Sequence, residues 1–238
     1  MMGRRAILNS GLALLIGFFL CPLLSRIELL APRAFAETKR IGDGIAAIVG
    51  AAVPSRDSEV ILRSDVDLRA RILLLGRGGV ETLDRNLPDA LLAEVLRSLI
   101  DEALILYEAR RIDLPHPSEA EIARERARLV SAAGGEARLR ALKERFDVSE
   151  AELMQIARRR ARVVGFLAAH LGDEGIVTEQ ALRERFESGD HPFVGLSFED
   201  AAAGLQLMIR DERVSQGVAD WVRVLRERVK IVIRARYG

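Results

Sequence analysis

The residues of this chain that could do chemistry are few, and their spacing brings none of them into a recognisable catalytic or metal-binding set. The three histidines, His116, His170 and His191, lie far apart, and His116 and His191 sit beside prolines. No His-x-x-x-His or His/carboxylate pattern with metal spacing occurs, so no metal site is expected. Asp173-Glu174, after Gly172 and near His170, could be imagined as paired acids, but a helix end followed by a solvated turn accounts for them. Gly76-Arg77-Gly78-Gly79 has neither a following Lys-Ser/Thr nor a preceding strand, as a phosphate loop requires. Ser10 and Ser98 lie in no nucleophile elbow. Arg158, Arg159, Arg160 and Arg162 form the densest basic cluster. On a helix they spread over more than half the circumference, which predicts a solvated face with some ion pairing rather than a nucleic-acid stripe. The sequence therefore predicts no catalytic residue, no metal and no cofactor.

What remains to be positioned is a binding surface, and the elements that would carry it are legible. Ile45 to Gly50 and Glu59 to Arg63 are strand-like runs joined by the turn residues Pro54 to Ser58. At Ser64 the period changes to helical: Ser64-Asp65-Val66-Asp67 resembles a capping box with Asp for Glu, and Val66, Ala70 and Leu73 follow at helical spacing. Lys230 to Arg234 alternates with period two, and no other stretch between residues 64 and 229 reads as a strand. Because a lone hairpin is marginal in water, residues 230–234 are expected to dock on it as a third strand. The expected fold class is mainly α: a multi-helix core with a small antiparallel sheet made by an N-terminal hairpin and the C-terminal strand.

Between these ends the helices have clear limits. Leu91 to Arg111 carries Leu92, Val95, Leu96, Leu99, Ala103 and Leu106 on one face and stops before Pro115-His116-Pro117. Ser118-Glu119-Ala120-Glu121 and Ser149-Glu150-Ala151-Glu152 are full capping boxes, separated by Gly134-Gly135 and a short helix bearing Leu139, Leu142 and Phe146. Thr178 caps a helix ending near Phe186, and Ser188 to Pro192 is the clearest break. From Ser197 a helical stretch reaches about Glu227, with a bend before Val214. Arg77 to Pro88 reads as a flexible loop.

The chain opens with Arg4 and Arg5, an apolar run from Ala6 to Leu24, and an Ala34-Phe35-Ala36 site before Glu37. This is the pattern of an export signal cleaved between Ala36 and Glu37, with an uncleaved inner-membrane anchor as the alternative. The Arg pair lacks the flanking residues of a twin-arginine signal, and Cys21 lacks the small residues of a lipoprotein site. Removing 36 of the 238 residues leaves 202 without cysteine, which excludes disulfides and thiol chemistry. Of 36 basic and 35 acidic residues, four and one leave with the signal, so 32 face 34. That balance argues against nucleic acid or anionic membrane as a partner held by bulk charge, and none is expected.

The hairpin Asp43-Gly44-Ile45-Ala46-Ala47-Ile48-Val49-Gly50 with Val60-Ile61-Leu62-Arg63-Ser64-Asp65-Val66-Asp67 resembles the opening of SurA-type periplasmic chaperones. Leu96 to Ile105 and Ser118 to Ile122 continue the resemblance, which spans about residues 43–170 and returns at about 197–234. It implies a signal peptide over 1–36, a hairpin and helical chaperone core over 37–186, and a C-terminal helix and strand over 197–238 that pack back onto the core. It also implies that residues 187–196 stand where a parvulin-type isomerase domain of about a hundred residues is inserted in that family. Ten residues cannot form one, so no family catalytic residue carries over and isomerase activity is not expected.

The function implied is that of an ATP-independent periplasmic holdase for unfolded outer-membrane or secreted proteins, its partners extended polypeptides. The alternative is a non-catalytic envelope adaptor that binds one folded partner. Phe186, Phe193 and Phe198, around the break, are the candidate peptide-binding residues. Core packing is the competing role for each of them, as it is for Phe146, Met154, Phe166 and Trp221.

Overall fold

The computed structural model describes residues 44–171 and 177–237. The expected export signal with its Ala36/Glu37 site, Asp43, and the Asp173-Glu174 pair lie outside the described residues. The fold is mainly helical with one small antiparallel sheet. Strands β1 (Ile45–Val49) and β2 (Glu59–Leu62) are followed by helices α1 (Arg63–Gly78), α2 (Asp89–Arg111), α3 (Glu119–Ala132), α4 (Glu136–Phe146), α5 (Glu150–Leu171), α6 (Glu179–Ser188) and α7 (Phe198–Arg228), then β3 (Ile231–Ile233). No helix among the described residues is long and apolar enough to cross a membrane.

The hairpin forms because its two apolar runs are joined by a turn that satisfies itself. Ser55 N–H donates to Ser58 Oγ at 2.8 Å, and that hydroxyl donates back to Ser55 O at 3.0 Å. Gly50 has φ +97°, and a Cβ there would lie 2.5 Å from the Tyr107 ring, so only glycine lets β1 end beneath α2. β1 pairs with β2 through Ala47 opposite Ile61 and Val49 opposite Glu59, with an irregularity between Ile45 and Ala47. On its other side Ile48 faces Val232 of β3, so the sheet order is β2-β1-β3. The expected third strand is present, and it lies beside β1 rather than β2. Ala46, Ala47, Ile48 and Val49 are accordingly fully buried, whereas both outer strands are short.

The chain divides into two compact units. In one, comprising 44–163 and 224–237, α2 packs on both hairpin strands and on α1, and α1 in turn packs on α3 and α4. Ile72, Leu75, Leu83, Leu129, Leu139, Leu142 and Leu153 form the core these helices share. Gly76 permits the closest approach: a Cβ there would stand 2.0 Å from Ala132 O, at the end of α3. Arg226 closes this unit on α2, donating to Asp101 Oδ1 at 2.8 and 2.7 Å. The other unit, 164–223, is organised by buried Phe166, Leu167, Ala201, Leu205 and Ile209.

Several local expectations need correction. α1 begins two residues early, so its cap is Leu62 rather than Ser64, and the Leu62 N–H donates to Asp65 Oδ2 at 2.8 Å. Leu62 has no hydroxyl to return the bond, and this is half a capping box; Asp67 instead pairs with Arg71 one turn on. The strand geometry at Leu62 wins because pairing runs to Arg63, whose N–H reaches Gly44 O at 2.9 Å. The boxes at Ser118/Glu121 and Ser149/Glu152 form as read. α2 ends at Arg111 with Asp113 at φ 52° and Leu114 N–H returning to Ala109 O, so a left-handed cap precedes the prolines. The stretch 77–88 includes a turn of 3-10 helix, Val80–Thr82, over buried Leu83. α7 runs without interruption from Phe198 to Arg228.

Candidate functional site

Within the unit formed by 164–223, the three candidate phenylalanines come together although eleven residues lie between the first and the last. α6 is started by Thr178, whose Oγ1 accepts from Ala181 N–H, and stopped by Gly189 at φ 70°. That stop turns the chain so that His191 stacks on Phe186, with ring centroids 5.2 Å apart and planes within 9°. His191 Nδ1 accepts from Phe193 N–H at 3.1 Å while Nε2 lies 3.1 Å from Phe186 O. The tautomer carrying its proton on Nε2 makes both bonds at once. His191 therefore has a structural role that its isolation in the sequence hides.

Phe198, at the start of α7, meets Phe186 edge to face at 5.6 Å and carries the Arg183 guanidinium over its ring at 4.7 Å. Phe193 lies on α7 at Gly204, where a Cβ would come within 2.3 Å of its ring. Arg185 ties α6 to α7 through Glu212, at 3.0 and 2.5 Å. All three phenylalanines are half-buried, so each has both a packed and an open side. Val194, at 84% exposure, and Leu196, at 48%, stand in the same loop, and Leu207 of α7 is 57% exposed. The last three were missed in the sequence. The signal was Phe193-Val194-Gly195-Leu196, an apolar run with no strand or helix period to bury it.

A second aromatic stack lies in the same unit. Phe166 is fully buried, with His170 at 4.0 Å and Trp221 at 4.5 Å from its ring centroid. His170 Nδ1 sits 2.9 Å from Phe166 O. Phe166 thus fills the core role considered for it, and Trp221 is half-buried.

The other unit contains a charge network that corrects the reading of the arginine cluster as a solvated face. Arg158 alone of the four is exposed. Arg159 reaches Glu59 of β2 at 3.3 Å and Glu102 of α2 at 3.4 Å. Glu102 also receives Arg69 of α1 at 3.2 Å, and Glu59 receives Arg110. Arg160, only 7% exposed, faces Glu125 of α3 at 3.7 Å, beside the Arg128 to Glu125 pair. Burial pushes the Glu102 carboxyl up, but Arg69, Arg159 and Arg160 together outweigh it and hold the group below its ordinary range. Burial, reinforced by Arg69, lowers Arg160. A periodicity argument could not find this network because Arg159 and Arg160 are paired by acids 35 to 100 positions away on other elements.

This network joins β2, α1, α2, α3 and α5 but presents no nucleophile and no acid–base pair open to a substrate. Its geometry is that of a clamp, and the apolar rim around Phe186, Phe193 and Phe198 is the better candidate for binding. Comparison of the chain with known protein families, with curated proteins and with solved structures finds no match.

Proposed function

We propose that this chain is an ATP-independent periplasmic holdase that binds unfolded outer-membrane or secreted proteins. The observation that carries the reading is the gathering of Phe186, Phe193 and Phe198 at a loop whose own apolar side chains, Val194 and Leu196, face solvent, with Leu207 of α7 also exposed. Clustered exposed apolar residues mark an interaction surface, since they have no use in a chain that binds nothing. Their placement supports a loose polypeptide client over a single rigid ligand. The exposed members lie on a nine-residue loop, 189–197, and one helix face. This loop is also where the resemblance would insert an isomerase, so holding without catalysis is the activity it suits. Such binding draws on apolar burial and main-chain pairing and needs no nucleotide.

The test is binding of the full chain to one outer-membrane barrel protein, presented unfolded and then folded, with aggregation of the unfolded form followed in parallel. Micromolar or tighter binding to the unfolded form alone, with delayed aggregation, is the expected result. Equal binding to both forms, or no delay, would favour an adaptor for one folded partner.

A further inference from the structure

The two outer edges of the sheet differ in what their backbones leave open. On β2, Arg63 N–H points inward to Gly44 O, so by alternation Val60 and Leu62 point their main-chain groups outward. The Leu62 N–H is taken by Asp65, and its carbonyl opens α1. That edge keeps only Val60 open before the helix cap closes it.

On β3 the opposite holds. Lys230 O accepts from Gly50 N–H at 2.9 Å, and Arg234 N–H donates to Ala46 O at 2.8 Å, so residues 230, 232 and 234 turn their polar groups to β1. Ile231 and Ile233 therefore direct N–H and C=O away from the sheet, and Ile233 is 56% exposed. Among the described residues no cap corresponding to Asp65 follows them. The flanks are basic: Arg228, Lys230, Arg234 and Arg236 are all exposed, and no acid occurs among residues 228–236.

We propose that the free edge of β3 accepts an extended acidic polypeptide segment as a fourth strand. This rests on the holdase reading and names a second surface and a client chemistry for it. Ile231 and Ile233 supply main-chain bonds indifferent to side-chain identity, while the four cations select carboxylates on the incoming strand. A second copy of this chain is the poorer occupant. Antiparallel self-pairing centred on Val232 sets Lys230 opposite the other copy's Arg234, and like charges directly opposed destabilise a strand pair. The edge is thus guarded against itself and open to the opposite charge.

The test uses the full chain and an end-capped octapeptide alternating valine with glutamate, read by fluorescence anisotropy. Controls are the same peptide with lysine for glutamate, and with alternate amides N-methylated. Ile233→Pro removes one outward N–H and leaves the bonds to β1 intact, because those belong to its neighbours. The glutamate peptide is expected to bind at least about tenfold more tightly than the lysine peptide, and both Ile233→Pro and N-methylation to weaken it by about tenfold. Lys230→Glu with Arg234→Glu should reverse the preference. Equal affinity for the three peptides overturns the proposal, as does a dimer that Ile233→Pro dissociates. If Ile233→Pro fails to fold, the N-methylated peptide on the unaltered chain decides the matter. A chain that still delays client aggregation yet ignores every peptide loses this edge and keeps its holdase role; a chain that protects no client loses that role whatever the peptides do.

Discussion

Replacing Glu102 with Ala should unsettle the unit that carries the sheet. Glu102 is the acid shared by Arg69 and Arg159, at 3.2 and 3.4 Å, and its side chain is 13% exposed. Arg159 keeps Glu59 when Glu102 is lost, whereas Arg69, itself buried, keeps no acid partner among the described residues. Breaking a buried pair by removing one member costs about 3–5 kcal/mol, and because Arg159 retains a partner the expected loss lies at the lower end, about 3 kcal/mol. Urea unfolding followed by far-ultraviolet circular dichroism would report it as a lower midpoint at unchanged slope. Replacing both partners, Arg69→Met with Glu102→Leu, should recover most of the loss, since no charge is then stranded. The effect must also depend on pH. The folded-state carboxyl titrates below its ordinary 4.5, so its contribution is present above that value and disappears as pH falls through the lower folded value. The gap between the wild type and Glu102→Gln should therefore close on acidification below pH 4.5. A loss under about 1 kcal/mol for Glu102→Ala, typical of an exposed pair, would refute the argument that this network is a buried clamp.

Three further perturbations follow from the local geometry. Asp65→Ala should cost about 1 kcal/mol, measured by thermal melting, because it removes the carboxylate that accepts the Leu62 N–H at the start of α1. Deleting residues 229–238 should cost on the order of 3–5 kcal/mol through the lost β3 pairing and apolar cover, and an unchanged melting curve would contradict it. Gly204→Ala should displace the Phe193 ring from α7 while gaining up to about 1 kcal/mol of helix propensity. Shifted Phe193 ring resonances with unimpaired stability are the expected signature, and unshifted resonances would show that the ring does not rest there.

The parts of the fold that could be read in the sequence are those fixed by local chemistry. The capping boxes at Ser118 and Ser149 each need only residues three apart, and both form. The three-stranded sheet was legible because only one distant segment, Lys230 to Arg234, alternates with period two. Where tertiary pairing competes with a local signal, the local signal loses: the Ser64 box yields to Leu62 and Asp65 because the β1 ladder extends to Arg63. The arginines of α5 illustrate the same limit. Their helical positions predict exposure, but Glu59 and Glu102, from β2 and α2, turn Arg159 inward. Of the candidate site, the phenylalanines were visible as residue types near a break, while the exposure of Val194, Leu196 and Leu207 depends on how α6 and α7 close around that break.

β3 links stability to recognition. It supplies the bonds that keep β1 fully buried, and a three-residue strand can do this only by turning half of its main-chain groups inward. The other half must face outward, so the strand that completes the sheet also creates its open edge. A longer β3 would complete the sheet more firmly but expose a longer template for indiscriminate pairing. Keeping it to Ile231–Ile233 between Lys230 and Arg234 limits unassisted strand addition to weak binding, in which opposite charge on the incoming segment decides the outcome. Weak, charge-selected pairing at one edge is what the proposed holding and release of unfolded polypeptides would require.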